Sequence, residues 1–262
     1  MDMNELQNKS VGLVLSGGGV RGMGHIGMLK ALQEHKIEAS VISGSSVGAL
    51  VGALYAGNRD LKDMLAFFKE TPLFKYNFVT INKPGLVDTE RYYPIFKEYI
   101  PFADFESLHK QLFVMTTNLQ KGVEEVFSTG ELIMPLLASA ALPPVFSPVE
   151  MNNMLYADGG IMNNFPSEPL KGKADFIIGS NVSMVREVSK KEISSSFQLA
   201  SRTTSLMVYA INRQKIRSCD IIFEPVELEH IGVFDKKAIE NAYTIGYDHA
   251  CRVLEELSVK SQ

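Results

Sequence analysis

The stretch "VISGSSVGAL" (41–50) sets an apolar run against Gly44-Ser45-Ser46-Val47-Gly48 and then continues in small, helix-forming residues. A plain strand-to-helix turn accounts for it, with Gly relieving φ strain and Ser capping the helix. So does a nucleophile elbow, G-x-S-x-G, which holds Ser46 on a tight turn with its hydroxyl exposed and its amide at a helix N-terminus. Upstream, "VGLVLSGGG" (11–19) reads as a buried strand over 11–15 entering a glycine turn, after which Ile26, Leu29 and Leu32 fall at helical spacing. A second strand is expected over 39–43 and a second helix over 46–56. Strand, helix, strand, helix at the start of the chain implies an α/β fold with a parallel sheet and right-handed crossovers. Both glycine-rich loops then follow carboxyl ends of strands, where open α/β sheets place their ligands.

Composition narrows the classes. The chain has 262 residues, 45% hydrophobic and 21% charged, which suits one large domain. Its net charge of -4 and the lack of a long basic run argue against nucleic acid as a partner. The first ten residues, "MDMNELQNKS", lack the basic start and apolar middle of a secretory signal, and the mostly apolar stretch 41–56 is broken by Gly and Ser and too short for a membrane span. A soluble, cytoplasmic protein is expected. Cys219 and Cys251 show neither C-x-x-C spacing nor a nearby His, so no disulfide framework, zinc site or other metal is expected.

Further along, the aromatic, Pro- and Gly-bearing stretch 73–101 loses clear periodicity apart from a short helix near 89–99. It reads either as a cap over a pocket or as satellite packing. "QLFVMTTNLQKGVEEVFST" (111–129) alternates like two strands joined in a hairpin at Lys121-Gly122. A helix over 131–140, a short strand over 154–157, a buried strand in "ADFIIGSNV" (174–182), a long helix over 194–217, a strand in "CDIIFEP" (219–225) and a last helix over 237–257 complete the pattern. No strongly basic amphipathic helix stands out.

The residues that could carry chemistry begin with "SGGGVRGMGH" (16–25). Gly17, Gly19 and Gly22 satisfy G-x-G-x-x-G, but the acidic residue expected at the end of the second strand is missing, because Glu38 precedes that strand. The alternative is that consecutive glycines present backbone N–H groups at a helix N-terminus, a cradle for the oxyanion of acyl transfer. Ser46 would then need a base. His230 and His249 stand in the order of a Ser-Asp-His triad; His25 follows the glycine loop, while His35 and His109 read as surface residues. In "LYADGGIMNNFP" (155–166) a strand end delivers Asp158 into Gly159-Gly160, which serves equally as an Asp-Gly turn or as a carboxylate aimed at Ser46. An aspartate of ordinary pKa near 4 is a weak base at neutral pH, so that role demands desolvation and a close hydrogen bond.

Taken in order, "GLVLSGGGVRGMGHIGMLKAL" (12–32), "GSSVGALVGALYA" (44–56), "LLASAALPPVFSPV" (136–149) and "YADGG" (156–160) resemble the patatin-like phospholipases. The remaining hundred residues match only in their coarse pattern of strands and helices. The resemblance implies a three-layer α/β/α fold with a mainly parallel central sheet. It implies one acyl-hydrolase domain over 1–262, with its motif core at about 10–180. It implies a Ser-Asp dyad without histidine: Ser46 as nucleophile in an elbow flanked by Gly44 and Gly48, and Asp158, followed by Gly159 and Gly160, as base. The loop of Gly17, Gly18, Gly19, Val20, Arg21 and Gly22 would form the oxyanion hole from the amides around Gly18 and Gly19, with Arg21 either pinning the loop or meeting an anionic head group. Pro143 and Pro144 would shape a pocket wall. The implied partner is a lipid or ester substrate met by transient contact with a membrane surface, with no cofactor. A non-catalytic lipid-binding or regulatory protein of the same fold, and an esterase using a histidine base, are the alternatives.

Overall fold

The computed structural model describes residues 9–72, 78–80 and 82–259. Most of the polar leader and part of the aromatic stretch thus lie outside the described residues. Eight strands among the described residues form one sheet: β1 (Val11–Leu15), β2 (Ala39–Ser45), β3 (Gln111–Asn118), β4 (Val123–Phe127), β5 (Val149–Met151), β6 (Met154–Asp158), β7 (Phe176–Ser180) and β8 (Ile221–Phe223). Their order is β5-β6-β3-β2-β1-β7-β8, with β4 paired to β3. The pairs β3-β2, β2-β1, β1-β7 and β7-β8 are parallel, whereas β4, β5 and β6 enter antiparallel. The expected mainly parallel α/β sheet is therefore present, with an antiparallel margin. β1 is buried along its whole length, which explains why "VGLVL" is apolar without alternation.

Seven α-helices are described: α1 (Met23–Glu34), α2 (Val47–Ala56), α3 (Leu61–Glu70), α4 (Tyr93–Tyr99), α5 (Ile133–Ser139), α6 (Ser196–Ile216) and α7 (Ile239–Val259). The two faces of the sheet are covered unequally. Leu13, Leu15, Ile42, Leu112 and Val114 point into the larger core with residues of α1, α2, α3, α5 and α7. Val14, Val41 and Phe113, one position out of phase, point to the opposite face. There Phe165, Leu170 and Ile216, from the turn after β6 and the end of α6, close a smaller core. α1 and α7 pack so closely that a side chain on Gly27 would overlap the α7 backbone at Tyr243, and one on Gly246 would overlap Gly24.

β3 decides where the functional loops meet. It pairs with β2 over Gln111–Met115 and with β6 over Thr116–Asn118, and with β4 over Val114–Asn118. Because β4 shares residues with both β2 and β6, those two must occupy successive stretches of the same edge of β3. One is parallel to β3 and the other antiparallel, so their carboxyl ends run head-on into each other. Ser45 partners Met115 and Asp158 partners Thr116, the next residue.

Candidate active site

Ser46 leaves the end of β2 with φ 54° and ψ -129°, a conformation that L-residues rarely hold, and α2 begins at the following residue. Such a backbone costs about 1–3 kcal/mol and persists only where its surroundings enforce it. Here they do: a side chain on Gly44 would run into the backbone of Gly48, and one on Gly48 into the carbonyl of Leu15. The elbow can close only because neither glycine carries a Cβ. The Ser46 N–H donates to Ser139 Oγ at 2.9 Å, from the last turn of α5.

The Ser46 hydroxyl donates to Asp158 Oδ2 at 2.6 Å. The other carboxyl oxygen, Oδ1, accepts from the N–H of Gly160 at 2.7 Å. Asp158 is buried, and the loss of solvent raises its pKa to about 6, against the opposing pull of the Ser46 and Gly160 hydrogen bonds. Desolvation thus makes this aspartate a better proton acceptor near neutral pH than a solvent-exposed one. Gly159 lies against the carbonyl of Met115 on β3, where no larger residue fits.

The glycine loop sits beside this pair. The N–H of Gly17 donates to the Asn164 carbonyl at 3.2 Å and that of Val20 to the Val233 carbonyl at 2.9 Å. The amides of Gly18 and Gly19 have no acceptor among the described residues, and both glycines line the cavity above Ser46. Gly19 has φ 59° and packs directly on the Val233 carbonyl, so only glycine holds this turn. Gly22 lies against Val47 at the start of α2. Arg21 donates from Nε to the Ile231 carbonyl at 2.7 Å and from Nη2 to the Glu229 carbonyl at 3.2 Å. These bonds tie the glycine loop to the segment before α7, and Arg21 also lines the cavity.

The cavity measures about 310 Å³ and is lined largely by apolar side chains, including Val47, Leu50, Phe67, Tyr92, Phe96, Leu142, Phe146 and Val208, with Ser46 and Asp158 at its floor. Two residues of the irregular stretch, Tyr92 and Phe96, are thus part of the wall, and they pack in edge contacts, Phe96 on Phe67 and Tyr92 on Phe146. The expected role of Pro143 and Pro144 is corrected: both are exposed around a cis peptide bond, and their neighbours Leu142 and Phe146 reach the cavity instead.

The histidines take no part at the cavity floor. His249 accepts the N–H of Glu224 at 3.1 Å from the side of α7, and His230 is exposed on the turn before α7. His25 is fully buried beneath the glycine loop, 2.9 Å from the Ser16 carbonyl through Nε2 and 2.8 Å from Ser180 Oγ through Nδ1. A carbonyl only accepts, so Nε2 carries the proton and Nδ1 receives the Ser180 hydroxyl. Burial lowers the His25 pKa to about 4 and keeps the ring neutral. The cysteines are unpaired and partly buried, and burial pushes the Cys219 thiol up to about 12.

Two neighbours of the site escape sequence reading. Ser139 sits in the apolar run "LLASAAL", and its polarity there is the available signal. Asn164 lies two residues past the turn after Asp158; its side-chain oxygen approaches Gly17 and Gly160, and its carbonyl holds the loop.

A family model described as patatin-like phospholipase matches residues 13–171. The chain belongs to the patatin-like phospholipase family. Among curated relatives, lysophospholipase NTE1 of Cryptococcus neoformans is 32% identical over 204 residues, covering 73% of this chain but 12% of that protein. An NTE family protein of Mycobacterium tuberculosis is 31% identical over 171 residues, 64% of this chain and 48% of that protein. The present chain therefore spans about an eighth of the length of the fungal NTE1 proteins and about half of the mycobacterial one. Among solved structures, VipD of Legionella pneumophila superposes with a TM-score of 0.52 at 19% identity, over 94% of this chain and 67% of VipD. Human GIVD cytosolic phospholipase A2, solved with methyl gamma-linolenyl fluorophosphonate, gives 0.50 at 13% identity, over 97% of this chain and 59% of the enzyme. These two likenesses establish the patatin-like fold. No helix among the described residues is long and apolar enough to cross a membrane.

Proposed function

We propose that this patatin-like chain is a serine-dependent lipid acyl hydrolase that works through a Ser46–Asp158 dyad, with residues 1–262 acting as one catalytic unit. The observation that carries the reading is the 2.6 Å hydrogen bond from Ser46 Oγ to a buried carboxylate at the floor of an apolar cavity. The contributions of β7, β8 and the Val233 segment, all beyond the family match, support the single unit, since they complete the sheet and hold the glycine loop.

Asp158 Oδ2 takes the hydroxyl proton as Ser46 Oγ attacks the acyl carbonyl carbon. The carbonyl oxygen becomes an oxyanion, and the N–H groups of Gly18 and Gly19 receive it, aided by the N-terminus of α2. Collapse expels the alcohol, which leaves with the proton from Asp158. Water then gives a proton to the same carboxylate and attacks the acyl carbon; collapse breaks the bond to Ser46 Oγ, which takes that proton back from Asp158, and the fatty acid is released. The cavity is apolar because the acyl chain is, and its volume lies at the low end for small-molecule sites. Relatives named lysophospholipases make a single-chain glycerophospholipid the first substrate to try.

The test is intact-protein mass after exposure to a fluorophosphonate. One adduct per chain is expected, absent in Ser46→Ala and slowed by two or more orders of magnitude in Asp158→Asn, as for loss of a general base. A folded wild type that takes up no adduct from probes of several sizes would sink the reading in favour of a lipid-binding protein.

A further inference from the structure

α6 turns Ile216 into the smaller core and Val208 to the cavity, yet it also presents four large apolar side chains to solvent, which a helix that merely covers a sheet does not. On the inward side Asn212 is buried; its Oδ1 accepts the Phe165 N–H at 3.1 Å and its Nδ2 donates to the Val208 carbonyl at 2.7 Å. Thr204, Ser205 and Val208 face the cavity mouth. On the outward side Leu199, Leu206, Met207 and Ile211 are 55%, 44%, 62% and 49% exposed. At 100° per residue these four positions span an arc of about 140°, shared with Ala200, Thr203 and Ala210 and, toward the helix ends, with Ser196 and Gln214. At the cavity itself, Ile161 and Phe234 line the wall and are each 37% exposed.

The charge on this helix is one-sided. Ser196–Ile216 contains no Asp or Glu but holds Arg202, Arg213 and Lys215, and Arg217 follows, in a chain of net charge -4. Lys215 pairs with Glu168 at 2.5 Å. Arg213 and Arg217 are exposed, and no carboxylate pairs with either among the described residues. The sequence pattern conceals all this because neither the moment nor the basicity of the helix is extreme; what singles it out is the direction in which the apolar arc faces.

We propose that the outward face of α6 docks on a bilayer bearing anionic lipid and thereby turns the cavity mouth toward the acyl chains. The proposal rests on the lipid-hydrolase reading of that cavity. A bilayer suits both properties of the face: the apolar arc enters the boundary between head groups and acyl chains, while the arginines reach the anionic head groups. A second copy of the chain suits only one, because a two-fold contact sets this acid-free basic helix against itself.

The experiment is co-sedimentation of the full chain with vesicles of phosphatidylcholine, with and without phosphatidylglycerol. Wild type and Ser46→Ala should both bind the anionic vesicles, less so in high salt. Leu206→Glu/Met207→Glu, which leaves the cavity lining untouched, should weaken vesicle binding by about tenfold or more while keeping fluorophosphonate labelling and turnover of a soluble short-chain ester. Arg213→Glu/Arg217→Glu should lose the preference for phosphatidylglycerol and serves as the second variant if the first misfolds. Undiminished vesicle binding by the first variant, undiminished lipid preference in the second, or a wild type that ignores both vesicle types would overturn the proposal. So would a wild-type dimer in sedimentation that the first variant makes monomeric, since a second copy would then own the face. Vesicle binding without any labelling of folded wild type would instead overturn the hydrolase reading alone.

Discussion

Asp158 holds a charge where the fold would prefer none. Its native pKa of about 6 lies above the ordinary aspartate value near 4, so the native state binds its proton more tightly than the unfolded chain does. Ionising it above about pH 6 therefore disfavours the fold by on the order of 2–3 kcal/mol, and below about pH 4 the penalty disappears because both states are protonated. General-base chemistry needs the ionised form, so kcat/KM for a soluble ester is expected to rise through about pH 6 and level off above it. Asp158→Asn should abolish that activity and also stabilise the protein by about 2–3 kcal/mol near pH 8, a gain that fades toward pH 4 in urea titrations. Residue type and chain order allow Asp158, His230 and His249 as bases, and it is the Asp-Gly-Gly turn and the family resemblance that favour Asp158 in the sequence. The burial of Asp158 and the register of β3 that brings it to Ser46 are not written in a local pattern.

At the scale of elements, the elbow depends on a partner from elsewhere in the chain. Ser139 on α5 accepts the Ser46 N–H and so fixes the tilt of Ser46. Ser139→Ala leaves that amide without its acceptor, at a cost of about 1–3 kcal/mol. The expected kinetic signature is a lowered kcat with KM little changed, measurable on a soluble ester. Phe67 of α3 is buried, packs edge-on against Phe68, Phe96 and Tyr99, and lines the cavity. Phe67→Ala should cost about 3–4 kcal/mol in denaturant melts and shift the preferred acyl chain toward greater length. The strands β1, β2 and β7, the hairpin at Gly122 and the long helices follow from apolar runs and glycine punctuation in the sequence. α3 does not figure in that reading, although Asp60 stands at the N-cap position before "LKDMLAFFKE" and its apolar residues recur at helical spacing. β5 has three residues, too few for an alternation to register, and β2 runs on to Ser45 because Met115 continues the ladder past the glycine.

The molecule as a whole balances two buried titrations of opposite sense. Neutral His25, with its pKa lowered to about 4, takes up no proton in the window from about pH 6.5 to 4 where the unfolded chain does, so its contribution to stability falls on acidification. Asp158 acts the other way between about pH 6 and 4, each effect being about 3 kcal/mol at full extent. Together they should leave wild-type stability nearly level across that range as far as these two groups decide it. Asp158→Asn removes one side of the balance, so its denaturant midpoint should drop between about pH 6 and 4 more steeply than that of wild type.

The head-on meeting of β2 and β6 along β3 also fixes when the site comes into being as the chain is made. The elbow and glycine loop are translated before the carboxylate, which follows 112 residues after the serine. The Asn164 and Val233 carbonyls that hold the loop emerge later still. A nascent chain that has emerged only as far as the elbow thus displays Ser46 without Asp158 and a loop with nothing to grip. The site proposed for ester cleavage is complete only once β6 has slotted into the edge of β3 and the Val233 segment has closed over the loop.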